Sequence, residues 1–306
     1  MRRNKERKKR RMLKVVLALA GSLLMAGGVY GYFFYDNVKQ TVNKKMHEPV
    51  ETIDIQETEK KVKERESLHI LLLGVDRHEG TSGRSDTMVV LTLDPTHDRM
   101  QMVSIPRDTR TTIEDLGTED KINHAYAFGG TDMAVDTVET FLDISLDYYV
   151  RLNMEGMSQF IDSVGGITVE NEFSFDHEDM TFEKGPLELN GREALGYVRM
   201  RKEDPQGDKG RNERQRQVIQ AVIEKGTNIT SVGKYGDILQ VLGNNVSTNM
   251  SFSDMRNIAV NYRSSRENIE TYQIAGEGQM IDDIYYLMVS DKEVEKVNQL
   301  IQKFES

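Results

Sequence analysis

The sequence predicts an α/β protein: a single three-layer α-β-α domain with a mixed central sheet, preceded by one N-terminal transmembrane helix. Two observations lead to this fold class. From about residue 68 onwards, short apolar runs alternate with longer stretches of helical periodicity, without an internal repeat or a low-complexity segment. Such alternation is typical of a sheet that is covered by helices on both faces. Before this region, residues 15–35 contain no charged side chain.

The first 35 residues are typical of a membrane anchor with its N-terminus in the cytoplasm. Nine of the first fourteen residues are basic, and the 21 uncharged residues that follow end in a cluster of aromatic side chains. As a helix these 21 residues would span about 31 Å, the thickness of a bilayer core, and the basic flank would stay inside the cell. A cleaved signal peptide is the alternative, but its small-residue site at 18–20 would cut inside the apolar run. We therefore expect a single-pass type II protein of the cell membrane.

Composition divides the chain into four parts. These are a cytoplasmic basic tail at 1–14, a transmembrane helix at 15–35, an extracellular stalk at 36–67 and a globular domain at 68–306. The stalk is polar and charged, and packing of this segment against the domain is the alternative. The whole chain carries a net charge of −10 despite its basic tail, so the exported part is strongly acidic and is not expected to bind nucleic acid. The chain has no cysteine, so its fold depends on its core alone.

The predicted elements follow one another in a regular order. Continuous apolar runs predict strands that are buried on both faces, and apolar residues at spacings of three and four predict helices. The predicted strands are 69–75, 88–93, 100–105, 148–153, 167–170, 269–274 and 285–289, with a hairpin turn at 94–98. The predicted helices are 131–142, 154–164, 190–198, 212–225, 230–244, 251–262 and 291–304.

Polar side chains cluster where the first three predicted strands begin or end. Asp76 follows the first strand, Asp86 precedes the second, and Arg107 follows the third. In open α/β sheets such strand ends line the ligand-binding crevice. Mg²⁺ binds one or two carboxylates and completes its octahedron with phosphate oxygens and water. Asp76 and Asp86 are therefore candidate Mg²⁺ ligands.

A second polar cluster, at residues 199–215, is rich in arginine although the domain is acidic. Arg199 and Arg201 are two residues apart, so on an extended chain their side chains would point the same way. Arg211 and Gln215 lie one turn apart at the start of a predicted helix, where free N–H groups and the helix dipole favour anions. Guanidinium groups grip phosphate oxygens through paired hydrogen bonds. The segment therefore predicts a site for a phosphate-containing ligand.

Six ordered motifs resemble those of the LytR–CpsA–Psr family over residues 68–304. They are Leu-Leu-Gly-Val-Asp at 72–76, Gly-Arg-Ser-Asp-Thr at 83–87, Val-Ser-Ile-Pro-Arg-Asp-Thr at 103–109, Lys-Ile-Asn-His-Ala-Tyr-Ala-Phe-Gly-Gly at 121–130, Leu-Asn-Gly-Arg-Glu-Ala at 189–194, and the arginine-rich stretch at 199–215. The resemblance implies a transferase that moves an anionic glycopolymer, with wall teichoic acid expected, from a polyprenyl pyrophosphate carrier to the 6-hydroxyl of N-acetylmuramic acid in peptidoglycan.

The resemblance also implies roles for individual residues. Asp76 and Asp86 would bind Mg²⁺, and Arg107, Asp86 and Asp208 would be catalytic, with the last two as candidate general bases. The implied pyrophosphate-binding residues are Arg84, Arg107, Arg199, Arg201, Arg211 and Gln215. The polyprenyl tail would lie in an apolar tunnel between sheet and helices, and the methionine-rich segment at 154–160 fits either a tunnel wall or ordinary core.

Two other functions use the same features. A polyprenyl pyrophosphate phosphatase would use the same arginines with water as the acceptor. A non-catalytic surface protein could attenuate the expression of cell-wall genes, but a tail of fourteen residues is too short for a DNA-binding fold. The tail is better explained by topology and by contact with lipid headgroups. The expected partners are thus a lipid-linked glycopolymer, peptidoglycan and membrane lipid.

Overall fold

The computed structural model describes residue 33 and residues 35–76, 83–201, 203–227 and 235–304. The strands are β1 Leu68–Asp76, β2 Arg84–Asp94, β3 Arg99–Ser104, β4 Arg110–Ile113, β5 Thr118–Lys121, β6 Tyr148–Asn153, β7 Ile167–Asn171, β8 Phe175–His177, β9 Met180–Phe182, β10 Gly185–Leu189, β11 Val246–Thr248, β12 Asn268–Gln273, β13 Glu277–Ile281 and β14 Ile284–Met288. The α-helices are α1 Ile55–Glu64, α2 His124–Leu142, α3 Met154–Val164, α4 Gly191–Arg199, α5 Asp208–Thr227, α6 Tyr235–Asn245, α7 Phe252–Asn261 and α8 Asp291–Gln302.

A six-stranded mixed sheet forms the centre of the domain, as the sequence predicts. Its strand order is β11-β6-β1-β2-β3-β12. The three strands β1, β2 and β3 are antiparallel to their neighbours in this group, whereas β6 runs parallel to β1 and β12 runs parallel to β3. Because β1 lies inside the sheet and is covered on both faces, its sequence is a continuous apolar run.

Each face of the sheet carries its own apolar cluster. Leu71 and Leu73 of β1 pack in one cluster with residues of α2 and α8, including Val138 and Ile301. Ile70 belongs to a second cluster, and Leu72, the residue between Leu71 and Leu73, packs against that cluster together with residues of α5 and α7. Alternate side chains of a strand point to opposite faces, so helices flank the sheet on both sides. The predicted mixed α/β domain with flanking helices is confirmed.

The segment that the sequence predicts to be a stalk lies against the domain instead. Val42 and Met46, in a π-helical turn at Val42–Met46, pack with Val246 of β11. Further along, Val62 of α1 packs against the sheet, and Lys61 Nζ lies 3.0 Å from a carboxylate oxygen of Asp147. Of the two alternatives left open by the sequence, the structure therefore shows packing on the domain. Apolar residues are too sparse in this polar segment for its pattern to have decided between them.

Several elements differ from their predicted bounds. The helix predicted at 131–142 begins at His124, and Gly130, with φ of 69°, kinks it at the predicted start. The helix predicted at 212–225 begins at Asp208, and the helix predicted at 230–244 is described from Tyr235 onwards. The structure also has two-stranded sheets, formed by β4–β5, β8–β9, β10–β7 and β13–β14. Of their strands, only β7 and β14 were predicted. The other strands are short and partly polar, so they lack the apolar pattern on which the prediction depends.

The predicted membrane anchor at 15–35 lies almost entirely outside the described residues. Within the part that the structure describes, no helix combines the length and the apolar character that crossing a bilayer requires.

A pair of isoleucines tests whether the segment before β1 belongs to the folded domain. Ile53 is 4% exposed in the cluster that covers one face of the sheet, whereas Ile55 is 38% exposed. Ile53→Ala should lower the free energy of unfolding by about 2–5 kcal/mol, because it removes buried methyl groups and leaves a cavity. Ile55→Ala should change it by less than about 0.5 kcal/mol. Urea denaturation of the purified protein measures both; equal effects would mean that the segment does not pack as described.

Candidate active site

A β-bulge where β1 and β2 meet places the first carboxylates of the site. Gly74 is opposite Thr87, and Val75 is opposite Ser85, so Asp86 is the extra residue on β2. A bulge re-aims the side chain that it carries and is common beside active sites. The strands approach closely here, since a Cβ atom on Gly74 would lie 2.8 Å from Cβ of Thr87. The close pairing and the bulge together fix the backbone at Asp86.

Arg107 follows β3 and turns back towards this bulge. Its Nη1 donates a hydrogen bond of 2.8 Å to Oδ1 of Asp86, and its Nε lies 3.7 Å from Oδ2 of Asp108. Asp108 is held from its other side by Lys121, whose Nζ lies 2.7 Å from Oδ1. Lys121 opens one of the motifs on which the family resemblance depends, although no separate role was predicted for it. The guanidinium of Arg107 thus has a fixed place between two carboxylates.

The start of α5 supplies the second group of charges. Asp208 is the first residue of the helix, and its Oδ2 lies 3.0 Å from Nη2 of Arg211. The other oxygen of Asp208 lies 3.3 Å from Nε of Arg201, which belongs to the preceding loop. The side chain of Arg211 is only 8% exposed, whereas that of Arg201 is half-exposed. Asp208 therefore orients two arginines, of which Arg211 is buried and Arg201 is half-exposed.

The pKa shifts of the two buried arginines show that these groups share one electrostatic environment. Burial lowers the pKa of Arg107, but the hydrogen bond to Asp86 and the negative charges of Asp86, Asp108 and Asp208 outweigh it, so the pKa is raised. The pKa of Arg211 is lowered, first by burial and then by the positive charges of Arg107 and Arg201. Charges influence each other in this way within about 10 Å, so these groups lie within that range. The two polar clusters of the sequence therefore converge.

The remaining predicted residues lie at the same end of the sheet. Nη2 of Arg199 lies 4.0 Å from Oδ2 of Asp76, and Asp76 is opposite Arg84 in the strand pairing. One expectation is wrong: Arg199 ends α4 and Arg201 follows it in a loop, so the two are not on one extended strand. Their side chains accordingly reach different carboxylates, Arg199 towards Asp76 and Arg201 towards Asp208.

A buried ion pair that the sequence did not single out supports the arginine loop. Arg214 and Asp204 are both almost fully buried and form a short ion pair. Nε of Arg214 also donates to the carbonyl of Tyr197, and Nη2 donates to the carbonyl of Met200. These contacts tie the end of α4 and the following loop to α5. Nothing in the sequence distinguishes Asp204 from the neighbouring acidic residues, because its role depends on burial.

An apolar cavity of about 250 Å³ opens beside the charged groups, between the sheet and helices α3 and α5. Gly74, Thr87 and Gln215 line it near the bulge and the arginine helix. The other lining residues are Leu72, Leu73, Leu91, Val150, Leu152, Asn153, Met154, Met157, Phe160, Val198, Val218, Ile219, Val222 and Ile223. The methionine-rich segment of α3 therefore lines a cavity through three of its side chains, which core packing alone would not require.

Comparison with known proteins identifies the family. Residues 29–303 match the model of the LytR_cpsA_psr family. The chain belongs to the LytR–CpsA–Psr family. It is 42% identical over 303 residues to the polyisoprenyl-teichoic acid–peptidoglycan teichoic acid transferase TagU of Bacillus subtilis strain 168, covering 99% of each chain. The resemblance to the LytR–CpsA–Psr family that the six motifs predict is confirmed.

Solved structures of this family share the fold. The crystal structure of B. subtilis TagU matches with a TM-score of 0.65 and 43% identity, over 79% of this chain and 97% of that one. The structure of TagT bound to LIIa-WTA matches with a TM-score of 0.66 and 29% identity, over 79% of this chain and 91% of that one. The LytR–CpsA–Psr fold thus accounts for the described domain, while the roles of single residues remain predictions.

The ion pair between Asp204 and Arg214 gives a stability test. Asp204→Ala should lower the free energy of unfolding by about 3–5 kcal/mol, because it leaves the buried guanidinium of Arg214 without its carboxylate. The matched control is Asp179→Ala, which breaks an ion pair with Arg192 that is exposed on both sides and should leave unfolding unchanged. Urea denaturation compares the two variants. A small effect of Asp204→Ala would show that the pair does not support the loop.

Proposed function

We propose that this protein transfers an anionic glycopolymer from a polyprenyl pyrophosphate carrier to the 6-hydroxyl of N-acetylmuramic acid in peptidoglycan. One observation carries the proposal. Nε of Arg107 and Nε of Arg211 are buried N–H donors that have no hydrogen-bond acceptor among the described residues, and both lie in the convergent charged site. A buried donor without an acceptor is costly, and a doubly charged diphosphate would supply acceptors to both.

The names of the relatives support the proposal that the polymer is a teichoic acid. TagU, at 42% identity over nearly the full length, is a polyisoprenyl-teichoic acid–peptidoglycan teichoic acid transferase, and the TagT structure contains LIIa-WTA. The match to TagU extends over the whole charged site and over the residues that line the cavity. We infer that wall teichoic acid is the polymer carried by this protein as well.

The arginines would bind the diphosphate and stabilise the transition state. The bond that breaks joins the bridging oxygen of the diphosphate to the glycan-side phosphorus. As it breaks, negative charge grows on the leaving phosphate. Arg107 and Arg211, which Asp86 and Asp208 already orient, would meet that charge with N–H groups that need little reorganisation. The energy of the anhydride drives the transfer, so no nucleotide is required outside the cell.

The apolar cavity fits the lipid part of the carrier. Its lining is almost entirely hydrocarbon, and it begins at Gln215, one turn of helix from Arg211. A diphosphate on the arginines would therefore leave its polyprenyl chain at the mouth of the cavity. Each methylene group that moves from water into such a site contributes about 0.8 kcal/mol.

Asp76 and Asp86 fit a Mg²⁺ ion. They lie at the joined ends of β1 and β2, diagonal to each other across the bulge. In the described part of the chain no cluster of three or more acidic or histidine side chains could hold a metal by itself. Mg²⁺ needs only one or two carboxylates where phosphate and water complete its shell. When bound there, it would neutralise charge on the phosphate oxygens.

The domain would work at the outer surface of the cell membrane. The proposal depends on the uncharged segment at 15–35 and its basic flank. The ring of Tyr35, the last residue of that segment, lies edge-on at 5.2 Å from the ring of Phe252 in α7. This contact would hold the domain next to the lipid in which its carrier is anchored.

Replacement of Arg107 tests the proposed transfer. Arg107→Ala should reduce transfer of glycopolymer from the lipid carrier to peptidoglycan by on the order of 100-fold or more, because a donor to the transition state is lost. Arg192→Ala, which alters an exposed arginine that pairs only with the exposed Asp179 in the described residues, is the matched control and should retain full activity. The assay follows labelled glycopolymer on the wall and free lipid products. Release of phosphate without wall attachment by the unaltered protein would instead identify a phosphatase.

Chelation tests the metal. Removing divalent ions should abolish transfer, and added Mg²⁺ should restore it. Asp76→Asn should raise the Mg²⁺ concentration that gives half-maximal rate, because one of two carboxylate ligands becomes neutral. Full activity of the unaltered protein in excess chelator would remove Mg²⁺ from the proposal and leave the arginines as the source of charge stabilisation.

A further inference from the structure

The motif at residues 121–130 borders the arginine site, yet most of it has no role in the proposed binding of the diphosphate. Its backbone is tied to the Arg107 segment: the N–H of Asn123 donates to the carbonyl of Arg107 at 3.4 Å, and the N–H of Ile122 donates to the carbonyl of Thr109 at 2.8 Å. His124, the first residue of α2, comes directly after this junction. The start of α2 is therefore fixed next to Arg107.

His124 forms a pair with Asp120 that resembles an acid–base dyad. Nδ1 of His124 lies 2.7 Å from Oδ2 of Asp120. The other oxygen of Asp120 accepts the backbone N–H of Lys121 at 2.7 Å and the hydroxyl of Tyr286 at 3.4 Å. Burial raises the pKa of Asp120, but the hydrogen bond from His124 and the other donors outweigh it, so the pKa is lowered. Asp120 is therefore held as a carboxylate.

This pair determines which nitrogen of His124 can accept a proton. A carboxylate can only accept hydrogen bonds, so Nδ1 must carry the hydrogen. In the neutral ring, Nε2 then has a lone pair, and among the described residues it has no hydrogen-bond partner. The side chain is about one-fifth exposed. Nε2 is therefore available to a hydroxyl group that enters from solvent.

An aromatic side chain stands beside the ring of His124. Phe128 lies one helical turn after His124, and the two rings meet edge-on with their centroids 5.8 Å apart. The side chain of Phe128 is 54% exposed, so its ring is open to solvent. The apolar face of a saccharide ring packs well against an exposed aromatic ring. Phe128 and His124 together therefore offer a saccharide both a stacking surface and a proton acceptor.

The aspartates of the arginine site are less suited to accept the proton. Asp86 accepts a hydrogen bond from Arg107, and Asp208 lies between Arg201 and Arg211. These carboxylates are occupied in holding the guanidinium groups. Asp120, in contrast, has the imidazole of His124 as its partner. Its negative charge stabilises the imidazolium that forms when His124 accepts a proton.

We propose that His124 accepts the proton of the attacking saccharide hydroxyl, with Phe128 supporting the sugar ring; this rests on the proposed transfer. The hydroxyl proton moves to Nε2 of His124, and the oxygen lone pair forms the new bond to the glycan-side phosphorus. The bond from that phosphorus to the bridging oxygen breaks, and its electrons leave with polyprenyl phosphate. The imidazolium then releases its proton to the leaving phosphate or to water.

The full-length protein in detergent tests the role of His124. His124→Gln keeps a side-chain N–H for Asp120 but cannot accept a proton, so kcat should fall by about 100-fold or more at an unchanged KM for the lipid-linked donor. His97→Gln is the matched control. His97 forms the same kind of pair, with Nδ1 at 2.8 Å from Asp94, but lies beyond the opposite end of β2. The kcat of His97→Gln should stay within about twofold of the kcat of the unaltered protein.

Further measurements separate catalysis from structure. Added imidazole should restore part of the kcat of His124→Ala, and Phe128→Leu should raise the KM for a soluble peptidoglycan acceptor while leaving the KM for the donor unchanged. The proposal is overturned if His124→Gln keeps more than a third of the kcat. It is equally overturned if the variant loses donor binding or melts at a clearly lower temperature. Absence of transfer by the unaltered protein would contradict the proposed function itself.

Discussion

The site depends on one electrostatic constraint: guanidinium groups that converge on a diphosphate repel one another until the ligand arrives. The structure meets this constraint by placing carboxylates between them. Asp86 holds Arg107, and Asp208 holds Arg201 and Arg211. The pKa values of Arg107 and Arg211 shift in opposite directions, because carboxylates dominate around Arg107 whereas burial and neighbouring cations dominate around Arg211. A diphosphate would then add the negative charge that the buried end of the cluster lacks.

The rest of the fold positions these charges. The bulge at Asp86 depends on the close approach of Gly74 to Thr87, and the arginine loop depends on the buried pair of Arg214 and Asp204. The same strands and α5 continue into the walls of the apolar cavity, so the charged and apolar parts of the site share one scaffold. A carrier with an anionic head and a long hydrocarbon tail matches both parts at once, which neither part would indicate alone.

The sequence predicts the central features of this arrangement and misses those that depend on burial. Continuous apolar runs identified β1, β2 and β3, and the polar residues at their ends led to Asp86 and Arg107. The convergence of these residues with Arg211 followed from the resemblance and from the sheet topology. Asp204 and the packing of residues 42–62 could not be predicted, because polar side chains give no signal of burial in a single sequence. Arg199 and Arg201 were assigned to an extended chain because the predicted helix ended at residue 198, whereas α4 includes Arg199.

The account of the site thus reduces to where a diphosphate binds. A crystal structure with a short-chain polyprenyl pyrophosphate tests this most directly. The account predicts that Nε of Arg107 and Nε of Arg211 each lie about 3 Å from a diphosphate oxygen, with the hydrocarbon tail in the cavity between β1 and α5. A diphosphate bound elsewhere on the domain would contradict this prediction. So would a tail that lies outside the cavity while Arg107 and Arg211 contact only their carboxylate partners.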